Sequence, residues 1–298
     1  MSSAPTLVID ANYLGYQALF TTGDLSTEDD IATGVVFGFL TRVLTLGQFF
    51  KTNDMIFCWD SKHSHRRKTF KGYKQKRRKI SHERKDQLDV AFEQFKQLRM
   101  KILPKIGFAN VLVQPGLEAD DLIADICLNP VMDIVIVSAD QDLYQCLSDN
   151  VRMWSPSVRK MMTGKRLQEN YNVSPSEWKR VKAMAGCSSD SVPGVQGVGE
   201  KTAIKYIRGF LKSESKAHIA IKENGDLIKR NMKLVSLPHR KTESIKVSGT
   251  NNFNFKAFRL ICRKCGFESF LQRDWEAFFD GNFAKESIVD VMKRRHAK

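Results

Sequence analysis

The stretch ANVLVQPGLEADDLIAD (residues 109–125) joins a strand pattern to a helix pattern through a short turn. Its first part is apolar and β-branched, and from residue 117 apolar side chains recur at helical spacing. Three acids, Glu118, Asp120 and Asp121, fall at the junction. A strand followed by a helix is the repeating unit of a parallel α/β sheet. This stretch therefore predicts the fold class and places carboxylates beyond the carboxyl end of a strand.

The same strand-then-helix pattern recurs through the first half of the chain. Strands are predicted at residues 6–10, 54–60, 109–115, 133–140 and 151–155. Helices are predicted at residues 31–51, 82–103 and 117–128. After about residue 165 the strand signals fade, and helices are predicted at residues 174–186, 200–211 and 284–295. The sequence predicts an α/β domain over residues 1–165, followed by a mostly helical region over residues 166–298.

Composition limits the partners. The 298 residues are 42% hydrophobic, enough for a real core, and 48 Lys and Arg against 33 Asp and Glu give a net charge of +15. Such an excess indicates a polyanion such as nucleic acid, with an anionic membrane surface as the weaker alternative. No apolar run approaches the ~18 residues that span a bilayer, and no signal-peptide pattern opens the chain, which favours the cytoplasm.

The six cysteines are scattered and predict no disulfide. Cys262 and Cys265 form a C-x-x-C pair, but no second pair follows at zinc spacing, so two packed thiols are the preferred interpretation.

Seven carboxylates follow predicted strands, and the carboxyl ends of parallel strands meet at one edge of a sheet. They are Asp10, Asp60, Glu118, Asp120, Asp121, Asp140 and Asp142. A single Asp at such a place is commonly a helix cap, but seven at one edge would repel one another and raise each other's pKa. A hard cation, Mg²⁺ or Mn²⁺, removes that repulsion. The pattern therefore predicts one or two metal ions and phosphodiester chemistry.

A basic insertion at residues 61–79 follows Asp60 directly. It holds ten Lys and Arg residues, with Phe70 and Tyr73 between them. A run of like charges at a terminus is usually a solvated tail. Because this run lies between two core elements, we expect it to bind a phosphate backbone, with its aromatic rings stacked on unpaired bases. The polar stretch 239–255 is expected to be a loop.

Six segments resemble the 5′-nuclease (flap endonuclease) family, which includes phage 5′→3′ exonucleases and the 5′-nuclease domain of bacterial DNA polymerase I. They occur in the family's order and approximate spacing over residues 6–210: LVIDANYLGYQALF, CWDSK, YKQKRR, GLEADDLIAD, SADQDLYQ and GCSSDSVPGVQGVGEKTA. The resemblance implies a PIN-like α/β domain with a basic helical arch at about residues 61–85. A helix–three-turn–helix at about residues 178–210 would follow it.

The resemblance also implies roles for single residues. Asp10, Asp60, Glu118, Asp120, Asp140, Asp142 and Asp190 match the family's metal ligands, with Asp121 close behind. Lys74 matches the arch lysine at the scissile phosphate, and Arg66 or Arg67 matches a second basic arch residue. The expected DNA contacts are Tyr73, Arg77, Gly194, Gly197, Gly199, Lys201 and Thr202. A K⁺ ion at the glycine turn is also implied.

The implied activity is 5′→3′ exonuclease and flap endonuclease cleavage of DNA at 5′ single-strand/double-strand junctions, leaving 5′-phosphates. RNA–DNA hybrids in primer removal, replication proteins as partners and a monomeric state belong to the same expectation. Two alternatives stay open: a PIN-type ribonuclease, and a non-catalytic branched-DNA-binding protein of the same fold.

The chain departs from the family pattern at three positions. Cys187 stands where relatives have a metal-binding aspartate, which predicts a weakened second metal site because a neutral thiol is a poor Mg²⁺ ligand. Ser191 replaces an asparagine, and Gln17 replaces an arginine that relatives use near the substrate phosphates.

Overall fold

The computed structural model describes residues 4–75, 82–128, 130, 132–248 and 251–283. Its centre is a six-stranded sheet in the order β3-β2-β1-β4-β5-β6. The strands are β1 (Thr6–Asp10), β2 (Met55–Cys58), β3 (Asn110–Leu112), β4 (Ile134–Val137), β5 (Val151–Ser155) and β6 (Lys160–Met162). The first five run parallel, and only β6 is antiparallel to its neighbour. The predicted parallel α/β fold is confirmed, while β6 was missed.

The two central strands are buried along their whole length because helices cover both faces of the sheet. On β1, Leu7 pairs with Met55 of β2 and with Val135 of β4. Leu7 and Ile9 point into one hydrophobic cluster, and Val8 points into the other. This alternation fixes the register, because a slip of one residue would exchange the two faces.

Helices α1 (Ala11–Thr22), α2 (Gly34–Phe50), α4 (His82–Gln97) and α5 (Leu103–Ile106) cover one face, and a π-helical turn (Leu98–Ile102) joins α4 to α5. Helix α6 (Ala119–Leu128) covers the other face with a 3₁₀ turn (Gln141–Cys146). Short helix α3 (Arg66–Thr69) lies in the basic insertion, whose residues 76–79 are outside the described residues.

The second half is helical, with α7 (Gly164–Tyr171), α8 (Pro175–Ala185), α9 (Glu200–Ile207), α10 (Lys216–Glu223), α11 (Gly225–Val235), α12 (Phe255–Lys264), α13 (Glu268–Leu271) and α14 (Glu276–Phe279). Two-residue strands β7 (Gly186–Cys187) and β8 (Val192–Pro193) form a small hairpin between α8 and α9 that the sequence did not predict. The helix predicted at residues 284–295 lies outside the described residues.

The final helices pack against the N-terminal half. Phe258, Phe270 and Phe279 belong to the same hydrophobic cluster as Phe39 of α2 and Leu7 of β1. The division of the chain at residue 165 stays a prediction, and this core crosses it.

Residues 239–248 and 251–254 form no regular secondary structure, as predicted. They run along the edge strand β3, where Asn110 exchanges two hydrogen bonds with the backbone of Ser248. The segment therefore covers a sheet edge that would otherwise be open.

Candidate active site

The predicted acids meet at the carboxyl-terminal edge of the sheet. Asp10 is the last residue of β1, and Asp60 and Asp140 lie just beyond β2 and β4. The backbone N–H of Ala119 donates to Asp60 Oδ1 at 2.8 Å, and the N–H of Asp60 donates to Asn12 Oδ1 at 2.8 Å. These bonds hold the start of α6, with its acids, against the ends of β1 and β2.

Asp10 and Asp120 are acids in an unfavourable environment for negative charge. Asp10 caps α1 by accepting from Tyr13 N at 2.9 Å, and it accepts from Ser138 Oγ at 3.0 Å. Burial and the neighbouring charge of Asp60 nevertheless raise its pKa to about 7. Burial, followed by the charges of Asp140 and Asp10, raises the pKa of Asp120 well above its ordinary value. This mutual repulsion is what a bound cation would relieve.

Glu118 is held by the base of the predicted arch. Lys74 Nζ lies 2.7 Å from Glu118 Oε1, and the Tyr73 hydroxyl donates to Oε2 at 2.7 Å. Burial opposes ionisation, but Lys74 and Arg66 hold the pKa of Glu118 below its usual range. Lys74 also lies 3.8 Å from Asp190 Oδ1, and its backbone has a left-handed φ of 54°. Lys74 therefore lies at the acid cluster, and its predicted contact with the scissile phosphate stays a prediction.

Asp121 was predicted to bind a metal ion, but its carboxylate lies in an ion pair instead. Its fully buried carboxylate receives two hydrogen bonds from Arg66, at 2.6 and 2.7 Å. It also accepts from the backbone N–H groups of Glu118 and His239 at 3.2 and 2.8 Å. Burial raises the pKa of Asp121, but Arg66 outweighs it and keeps that pKa below the ordinary value. Four donors leave no oxygen directed at a metal, so the structure revises this prediction.

The ion pair with Asp121 distinguishes Arg66 from its neighbour Arg67. Arg66, only 3% exposed, also donates to the carbonyl of Leu234 at 2.7 Å, so it anchors the arch to the fold. Arg67, in contrast, is partly exposed. Tyr73, 3% exposed, is buried at Glu118 and Asp190 rather than presented for base stacking, which corrects its predicted role. Arg77 lies outside the described residues.

A second group of ligand atoms comes together at the hairpin. Single atoms of Asp142, Cys187 and Asp190 lie within 4.8 Å of one another. Burial and Asp140 raise the pKa of Asp142 to about 6, and burial followed by Asp142 raises the pKa of the Cys187 thiol. Cys187 Sγ lies 3.0 Å from Ser189 Oγ. The thiol therefore stays neutral near pH 7, where an aspartate would carry charge.

Lys182 was missed by the sequence analysis. It is 8% exposed, and its Nζ lies 3.1 Å from both Asp142 Oδ1 and Glu200 Oε1. In α8 it looked like an ordinary surface lysine, and only its contacts identify it as a buried cation beside the second group of acids.

The glycine turn leads into α9. Glycine is required at two positions of the β7–β8 hairpin. Gly186 adopts a left-handed φ of 78°, and a Cβ on Gly194 would lie 2.1 Å from the carbonyl oxygen of Ala185. Gly197 adopts φ 74° and Gly199 caps α9, and a Cβ at either position would meet open space. The exposed Lys201 and the half-buried Thr202 follow in the first turn of α9. The turn therefore presents backbone and one charge to the outside.

Gln17, which stands where relatives have an arginine, makes hydrogen bonds within the N-terminal helices. Its amide donates to the Tyr13 hydroxyl at 2.8 Å, and Arg42 donates to its backbone carbonyl at 3.0 Å.

Comparison with known proteins identifies the family. Residues 5–172 match the family described as "5'-3' exonuclease, N-terminal resolvase-like domain". The 5'-3' exonuclease of Bacillus subtilis is 33% identical over 222 residues, covering 70% of this chain and 72% of that protein. This chain belongs to the 5′-3′ exonuclease family. The recognition made from the six motifs is confirmed, as is the nuclease class that it implied.

Other members of the 5′-3′ exonuclease family are also similar. The 5'-3' exonuclease of Buchnera aphidicola from Schizaphis graminum is 28% identical over 211 residues, covering 69% of this chain and 70% of that protein. The thermostable DNA polymerase I of Thermus caldophilus is 30% identical over 68% of this chain, which corresponds to 24% of the polymerase.

Solved structures share the fold of this exonuclease-family chain. The T5 D15 protein co-crystallised with metal ions aligns with a TM-score of 0.68 at 22% identity, covering 78% of this chain and 90% of that one. The catalytic core of Rad2 in complex with DNA substrate aligns with a TM-score of 0.59 at 13% identity, covering 91% and 93%. Among the described residues, no helix is long and apolar enough to span a bilayer.

Proposed function

We propose that this chain is a metal-dependent 5′→3′ exonuclease and structure-specific flap endonuclease that cuts DNA at 5′ single-strand/double-strand junctions. The observation that carries the proposal is the convergence of acids from four strand ends on one edge, beneath Lys74 of the arch base. Acids in such number need cations, and a chain of net charge +15 attracts the phosphates that come with them.

The donor set fits divalent ions. Carboxylate oxygens are the ligands that Mg²⁺ and Mn²⁺ prefer, and the raised pKa values of Asp10 and Asp120 record negative charge that these residues bear poorly without a cation. Asp10, Asp60, Asp120 and Asp140 would hold one ion, with Glu118 beside them. Asp142 and Asp190 would hold a second ion, and the neutral thiol of Cys187 would weaken the binding of that ion.

The chain's own side chains would position the substrate. Bound divalent ions would make a water nucleophilic at neutral pH and would stabilise charge on the attacking and leaving oxygens. Lys74 and Arg67 would orient the scissile phosphate above the acids, with Arg66 and Asp121 fixing the base of the arch. No protein nucleophile is required, and the products would carry 5′-phosphates.

The glycine turn would bind the duplex. Open space around Gly197 and Gly199 lets a phosphate approach backbone N–H groups at the start of α9, beside Lys201. The proposal includes a K⁺ ion held by carbonyls of this turn. It also includes cleavage of RNA–DNA hybrids during primer removal, recruitment by replication proteins and a monomeric state.

Cleavage of three 5′-labelled substrates tests it: a DNA flap, a nicked DNA duplex and a single-stranded RNA, each incubated with Mg²⁺. We expect cleavage of both DNAs near the junction, loss of cleavage in Asp140→Asn, and normal cleavage by Asp149→Asn, which removes an exposed acid away from the edge. Cleavage of the RNA alone would favour the ribonuclease alternative. Specific binding to the flap with no cleavage would favour the non-catalytic one.

A further inference from the structure

A cavity lies outside the acid cluster, where α3 of the arch base meets the carboxyl end of α11. Its volume is about 400 Å³, and it is lined by Thr69, Met232, Lys233, Pro238 and Arg240, among others. Thr69 belongs to the basic insertion, and the other lining residues named here have no predicted role.

The walls of this cavity are fixed to the sheet. Arg66, the first residue of α3, donates to the carbonyl of Leu234 in α11 at 2.7 Å and to Asp121 beneath it. On the opposite wall, the N–H of His239 donates to Asp121 at 2.8 Å, and the rings of His65 and His239 stack with centroids 5.8 Å apart. One buried carboxylate thus ties both walls together, so the cavity is preformed. A preformed site binds with less ordering of its own side chains.

The surface around the cavity is strongly positive. Residues 229–241 contain five Lys and Arg side chains and no carboxylate. Lys229 is partnered by Asp226 at 3.5 Å, and the Arg230 guanidinium lies 4.5 Å from the centre of the Phe70 ring. Lys233 and Arg240, both exposed at the cavity rim, form no ion pair with any residue that the structure describes. A lining that combines these two cations with Met232 and Pro238 matches a ligand with phosphates and an apolar face.

We infer that this cavity and its rim bind the single-stranded 5′ arm of the nucleic acid, with Lys233 and Arg240 on two phosphates and a base against Met232 and Pro238. The inference rests on the proposed function. Position supports it, because Tyr73 and Lys74, which contact Glu118, follow α3 by only a few residues. A strand held at the acids therefore passes the arch base, and α3 and α11 are in direct contact there. Phosphates along a single strand favour cationic grooves with apolar platforms.

The inference is tested by measuring binding rather than cleavage, in EDTA. The variant Lys233→Ala with Arg240→Ala is titrated with a DNA flap carrying a ~12-nucleotide 5′ arm and with the matching nicked duplex, which has no arm. We expect flap affinity to fall on the order of tenfold, and its salt slope to fall by about 1.4 for two single-strand phosphates. Affinity for the nicked duplex should change less than twofold.

The control is Lys256→Ala with Arg263→Ala, which removes two exposed cations on α12. This helix packs in the hydrophobic cluster of Leu7 and Phe39 and does not line the cavity. It keeps the net charge equal to that of the test variant, so a general loss of attraction would appear in both. Equal losses on flap and nicked duplex, or an unchanged flap affinity, would overturn the inference. Failure of the wild type to cut any DNA would instead contradict the proposed function, and the binding comparison could still be read.

Discussion

Asp120 and Asp121 are adjacent on α6, yet the structure shifts their pKa values in opposite directions. Burial and the charges of Asp140 and Asp10 raise the pKa of Asp120, whereas the hydrogen bonds and charge of Arg66 hold that of Asp121 low in spite of its burial. Neighbours on a helix point about 100° apart, so one faces the sheet edge and the other the arch base. A carboxylate that the protein neutralises belongs to the scaffold, and one that it leaves crowded with other acids depends on a cation from outside.

The largest expected effect is on catalysis at Asp120. Replacing it by Asn should lower kcat/KM on the flap about 10³-fold, roughly 4 kcal/mol of transition-state stabilisation. Thermal unfolding in EDTA should show equal or greater stability, because a repelled charge is removed. Single-turnover cleavage and calorimetry on the same preparation separate the two effects. A variant that unfolds at lower temperature than wild type would contradict the assignment of Asp120 to the acid cluster.

Asp121 should show the reverse pattern. Asp121→Ala leaves Arg66 buried without its carboxylate, which should cost about 3 kcal/mol in the free energy of unfolding. Urea titration measures this cost. The matched double variant, Asp121→Leu with Arg66→Met, removes both charges and should regain most of the stability. If the single variant were as stable as wild type, the pair would not be the anchor described above.

The acid cluster should also cost the metal-free protein stability. Folding raises the pKa of Asp10 from its ordinary value near 4 to about 7. The folded state therefore keeps the proton more tightly, and stability falls as pH rises between about 4 and 7, then stays level. Asp10→Asn removes this penalty, retains an oxygen for Tyr13 N, and should stabilise the protein by about 2 kcal/mol at pH 8 in EDTA. The gain should vanish near pH 4, and a gain independent of pH would argue for another cause.

The sequence predicted the strands and the acids well for a physical reason. In a parallel sheet covered on both faces, a central strand is a nearly continuous apolar run, as in β1, which was predicted to the residue. Strand β5 was also predicted to the residue, although only Val151 and Met153 of its five residues are buried. The carboxylates that follow β1, β2, β3 and β4 then had to share one edge of the sheet.

What the sequence could not predict depends on contacts between distant residues. Arg66 and Asp121 are 55 positions apart, and nothing in either segment indicates that Arg66 pairs with Asp121 rather than with Asp120. Lys182 was missed because a lysine in a helix is usually solvated, and its burial depends on the packing of α8 against the 3₁₀ turn and α9. The sequence predicted a mostly helical second half, but it gave no sign that the aromatic residues of α12 to α14 pack in the same cluster as Leu7 and Phe39.

Cys187 gives the smallest expected effect and extends the comparison to the second group of acids. There Lys182 and Lys74 lie beside Asp142 and Asp190, so the protein already supplies part of the cationic charge, and the thiol adds none of the negative charge that an aspartate would. Cys187→Asp should raise Mn²⁺ affinity at this site about tenfold or more, because even residues that only support the ligands change metal affinity by roughly 10–100-fold, while Cys187→Ser should leave it unchanged. Isothermal titration of both variants and wild type at pH 8, without DNA, measures the difference. Two equally occupied sites in wild type and Cys187→Asp would mean that the thiol does not limit the second ion, and that the neutralising lysines set its affinity instead.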